Sequence, residues 1–60
     1  MSAVYNPEAD IIAEIERLEI EARKLRKRLE QAKNANDKRV LSKLLKDAEE
    51  NIKALRSRLP

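Results

Sequence analysis

Residues 11–29 read IIAEIERLEIEARKLRKRL, and residues 41–59 read LSKLLKDAEENIKALRSRL. In the first run Ile11, Ile15, Leu18, Ala22, Leu25 and Leu29 recur at alternating steps of four and three residues. Leu41, Leu45, Ala48, Ile52, Leu55 and Leu59 do the same in the second. This is the a/d spacing of a coiled-coil seam. Taken in reverse, the second set pairs with the first so that every pair, from Ile11–Leu59 to Leu29–Leu41, is symmetric about residue 35. A chain folded back on itself near residue 35 produces that symmetry, with each a position facing a d position. The expected fold is all-α: an antiparallel two-helix hairpin, a coiled coil with the option of dimerising into a four-helix bundle.

The flanking residues place the ends. Asn6-Pro7-Glu8 is a helix start, because Asn accepts from free amides, Pro suits the first helical position, and Glu8 with Asp10 suits the positive end of the dipole. The turn cluster within the chain is Asn34-Ala35-Asn36-Asp37. Asn tolerates the left-handed conformation that ends a helix, and Asn36 or Asp37 can cap the next one. The expectation is a single helical-hairpin domain over 1–60: lead 1–6, helix one 7–33, turn 34–36, helix two 37–59.

A single uninterrupted helix is the rival, since no Gly or Pro marks the turn. Carrying the first frame onward would put Asn36, Arg39, Lys43, Lys46, Glu50 and Lys53 in the seam, all of them polar. The apolar stripe instead lies two residues out of phase, roughly 200° around the helix. Coiled coils absorb insertions of three or four residues, not two. The hairpin is the consistent reading.

Composition limits the function classes. Sixty residues make one domain near the lower limit for folding without disulfides or metal. Charged residues are 42% and aromatics 2%, with no Gly, Cys, His, Trp or Phe, a mix typical of coiled coils. The longest apolar runs, Ala3–Tyr5 and Ile11–Ala13, are too short for a membrane span or signal peptide. A cytoplasmic or nuclear location is the default expectation. No enzyme is expected, because His and Cys are missing for proton transfer, nucleophilic attack or transition-metal binding, and no Gly can cradle a phosphate. No cofactor and no metal site are expected, since the seam holds no inward-facing acid.

What the seam leaves over is more informative. Ile12 falls at an e position, Leu44 at g, Val40 at c and Ile20 at f. A lone hairpin covers each seam residue from one side only, so it is marginal, and a second chain covering Val40 and Leu44 is the preferred reading over ordinary scattered exposure. Charge is lopsided too. Residues 23–46 hold ten Lys/Arg against two acids, a net of +8, while the rest hold four against nine, a net of −5. Glu14 and Arg58 occupy facing g positions near the open end and are expected to pair. The facing alanines Ala22 and Ala48 predict a tight waist, with a cleft for a partner side chain as the lesser reading.

These features favour a non-enzymatic protein–protein interaction module with an acidic-surfaced protein partner or a second copy. Arg28, Val40, Lys43 and Leu44 are the foremost partner-facing candidates, with Arg23, Lys27 and Ile12 beside them. In a head-to-tail homodimer, Val40 and Leu44 would meet the region of Ile12 and Tyr5 of the neighbour. The alternative is a small basic hairpin dimer binding RNA or DNA through its loop-end Lys/Arg cluster, a reading weakened by the lack of aromatics for base stacking. Insertion into a membrane surface ranks lower, because no strongly apolar helix face is left to insert.

The segment Leu18-Glu19-Ile20-Glu21-Ala22-Arg23-Lys24-Leu25 resembles the first helix of the antiparallel coiled-coil Rho-effector repeat of protein-kinase-C-related kinases. Val40-Leu41 followed by Ala48, Asn51, Ile52 and Leu55 resembles its second helix. The Gly of the family's Gly-Ala pair is Glu21 here. The resemblance implies a hairpin presenting one flank to a small GTPase, an arrangement that Rab-binding helical hairpins share.

Overall fold

The computed structural model describes residues 6–60. Two helices, α1 (Pro7–Gln31) and α2 (Ala35–Arg56), lie side by side and antiparallel. Apart from Asn6, the expected lead over residues 1–6 lies outside the described residues, and so does Tyr5.

Helix α1 starts as its sequence dictates. Asn6 is extended at φ −117° and ψ 98°, and its side-chain oxygen accepts from the Glu8 amide at 3.0 Å. Pro7 follows, having no amide to leave unpaired. The far end departs from the expected turn at 34–36. Helix α1 stops at Gln31, Ala32 turns extended at φ −69° and ψ 134°, and α2 already begins at Ala35. Asn34, rather than Asn36 or Asp37, is the cap: its side chain accepts from the Asp37 amide at 2.7 Å and donates to the Asp37 carboxylate at 3.1 Å. A capping residue needs extended backbone, and Asn34 has it, at φ −105° and ψ 153°. No described residue has a positive φ, so the left-handed helix end expected at Asn34 does not form.

The connection is thus Ala32-Lys33-Asn34, short enough to force antiparallel neighbours. At the other end α2 closes at Arg56, short of the expected residue 59. The Ser57 hydroxyl donates to the Ala54 carbonyl, and the amides of Arg58 and Leu59 reach back three residues to Leu55 and Arg56. That tightened last turn satisfies free carbonyls and still delivers Leu59 to the seam.

Every expected seam residue is buried or half-buried. Ile15, Ala22, Leu25, Ala48 and Ile52 form the core, and the other seven line it half-covered. Ala22, Leu25 and Ala48 cluster at the centre, with Leu41 and Leu45 packed against them. Among the described residues no helix is long and apolar enough to cross a membrane.

Candidate interaction surface

The two helices lie side by side in a single layer about 12 Å thick. Such a slab has two broad faces, and the heptad decides which residues each presents. The e positions of both helices flank the seam on one side, with b beside them; the g positions flank it on the other, with c beside them.

Four e positions are joined across the seam. Arg56 donates to Glu19 at 2.6 Å and Arg26 donates to Glu49 at 2.7 Å. Between these ion pairs lies a groove of about 420 Å³, floored by Ala22 and Ile52 and edged by Arg23. The small Ala22 side chain leaves space above the seam. Ala22 and Ala48 are both buried at the centre of the seam, and of the two Ala22 borders the open groove.

The g face carries a second groove of about 310 Å³, lined by Glu14, Arg17, Leu18, Asn51, Ala54, Leu55 and Arg58. The expected Glu14–Arg58 pair does not close. Glu14 is held by Arg17 of its own helix, which accounts for one of the three ion pairs among the described residues. A partner one turn away on the same helix costs less side-chain ordering than one across a groove.

Leu44 lies one heptad before Asn51 and so belongs to the g face, with Val40 one turn before it at c. Ile12 lies one heptad before Glu19 and belongs to the e face. All seven sequence-predicted residues are exposed, but they do not form one surface. Arg28, Val40 and Leu44 gather at the loop end of the g face. Arg23 and Ile12 are on the e face, and Lys27 and Lys43, at f positions, point from the outer edges of the slab. Ala54, Asn51 and Arg58, which continue the Val40–Leu44 stripe, were missed as candidates; their c and g letters are the signal that finds them.

The two faces also divide the charge. In the loop half, the b and e positions carry Arg23, Arg26, Lys33, Arg39 and Lys46 against Glu30 alone. The c and g positions there carry Lys24 and Arg28 against Asp37, a net of +1 where the b and e positions hold +4. Most of the positive excess of the loop end thus belongs to the e face and the outer edges. Val40 and Leu44 sit on the face that carries only +1 of it.

No family model, curated protein or solved structure matches the chain.

Proposed function

We propose that this hairpin is a non-enzymatic protein–protein interaction module that docks through its g face. One observation carries the reading: Val40 and Leu44 are 47% and 48% exposed, one helical turn apart, on the charge-balanced face of a slab whose whole core is five residues. Apolar side chains bordered by compensated charge suit a desolvated protein contact, whereas an uncompensated basic field would oppose one. The partner class implied by the Rho-effector resemblance, a small GTPase, falls within this reading.

Nucleic-acid binding is the second reading, and it uses the other face. Arg23, Lys33, Arg39 and Lys46 at the loop end of the e face could follow a phosphate backbone, although no aromatic stands among them for base stacking.

The two readings separate experimentally because they use opposite faces. Immobilised hairpin is exposed to lysate with and without nuclease, at about 150 mM salt, where exposed charges are screened beyond about 8 Å. The protein-docking reading expects nuclease-resistant capture of protein that is lost on Leu44→Asp. Capture of nucleic acid alone, lost on Arg39→Glu with Lys46→Glu and kept by Leu44→Asp, would replace it with the second reading.

A further inference from the structure

We infer that the g face docks a second copy of this chain, head to tail, as an isologous dimer. This names the partner within the interaction reading above and rests on it.

Area is sufficient. The 25-residue α1 sets a face about 37 Å long at about 1.5 Å per residue, which with a width of 21 Å offers roughly 800 Å² per copy, about what a standard stable interface covers per partner. Symmetry then limits the choices. Two stacked g faces related by a two-fold axis can lie loop against loop or loop against open end. On the g face itself the loop half carries +1 and the rest −2, in the same sense as the +8 and −5 of the whole ends, so the first arrangement opposes like charge and the second unlike charge. Long-range charge selects the second, in which α1 lies along α1 of the other copy and α2 along α2, each antiparallel.

Placing the axis at the middle of the seam, level with Glu21 and Glu49, fixes the register. The g-face residues then prove self-complementary. Glu14 lies opposite Arg28 of the second copy, and the two-fold repeats that pairing at the other end. Leu44 lies opposite Ala54, a large residue over a small one. Val40 lies opposite the aliphatic stem of Arg58, and Asp47 opposite Asn51. Glu21 meets its own counterpart on the axis, with Arg17 and Lys24 on either side to offset the repulsion.

This pairing replaces the one expected from sequence, in which Val40 and Leu44 meet Ile12. Leu44 and Ile12 lie on opposite broad faces, so a closed dimer using both would need both faces of each copy at once. Contacts of that kind stack copies without end.

Sedimentation equilibrium of the full chain at tens of micromolar in low salt tests the inference. A mass near twice 7.0 kDa is expected, and the single-chain mass overturns it. Leu44→Asp should weaken the dimer about tenfold or more, a shift of ~1.4 kcal/mol, with helicity by circular dichroism unchanged. Glu14→Arg and Arg28→Glu should each weaken it and together restore it; failure of the double exchange to restore overturns the register. Glu21→Cys should form an inter-chain disulfide on air oxidation, whereas a loop-to-loop dimer sets that cysteine against Asn51 and leaves it free. A wild-type chain that stays monomeric, yet captures another protein through Leu44, would discard the second copy and keep the interaction module.

Discussion

Glu19 and Arg56 stand 37 residues apart in the chain and meet at 2.6 Å across the two helices. One heptad along α1 and one heptad back along α2, Arg26 and Glu49 meet with the charges exchanged. Both contacts report the same alignment as the apolar seam, although they use different residues and different physics. A slip of either helix by one turn would separate both pairs and push seam leucines into water. The register is therefore specified twice.

These ion pairs align the helices more than they stabilise them. Their side chains are 42–60% exposed, so water and salt screen most of the attraction. Glu19→Gln or Arg26→Gln should lower unfolding free energy by less than about 1 kcal/mol, and the loss should vanish in molar salt. Chemical denaturation at two salt concentrations checks this. A salt-independent loss of several times that size would mean the pairs hold the fold themselves.

The core behaves differently. Leu25 is 6% exposed and belongs to the central cluster with Ala22 and Ala48. Leu25→Ala should cost ~2–4 kcal/mol, a large share of what so small a domain possesses. Leu45→Ala should cost less, because Leu45 is only half-buried. Thermal unfolding followed by circular dichroism ranks the two, and equal midpoints for both variants and the parent would contradict this packing.

Turn chemistry gives a third discriminating comparison. Asn34 caps α2 through the Asp37 amide, so Asn34→Ala should cost about 1 kcal/mol. Asn36 only accepts from the exposed Arg39 guanidinium at 3.1 Å, and Asn36→Ala should leave stability nearly unchanged. Chemical denaturation of the two variants decides, and the reverse order would move the cap back to where the sequence first suggested it.

The seam was fully legible because burial follows heptad letter when one small core has a single geometry available. All twelve seam residues fall where the letters put them. The turn was read two to three residues late. An Asn-Ala-Asn-Asp cluster offers several equivalent caps, and local propensity alone does not choose among them. The chain leaves the helix at Ala32, which is half-buried and extended, and Asn34 is the asparagine that then stands ahead of α2 with extended backbone. The Glu14–Arg58 expectation failed because facing letters say nothing of a nearer competitor, here Arg17. The candidate surface was legible in parts. The e of Ile12 and the g of Leu44 already set them on opposite faces, but grouping residues by loop end or open end obscured this.

Placing a charge on each face should separate the faces in function as well. Ile12→Asp and Leu44→Asp substitute equally exposed residues, at 46% and 48%, so neither should unfold the hairpin. Docking on the g face should tolerate the first and fail with the second, read by binding to the same partner under the same salt. Equal loss from both would remove the distinction between the faces.

The most direct measurement of the central claim uses the four exposed aliphatics as reporters, since each carries its own methyl groups. Methyl resonances of Ile12, Ile20, Val40 and Leu44 are followed as the chain is concentrated from dilute solution or titrated with a captured partner. The account predicts that Val40 and Leu44 shift together while Ile12 and Ile20 stay in place. Shifts at Ile12 with Val40 and Leu44 unmoved would contradict it.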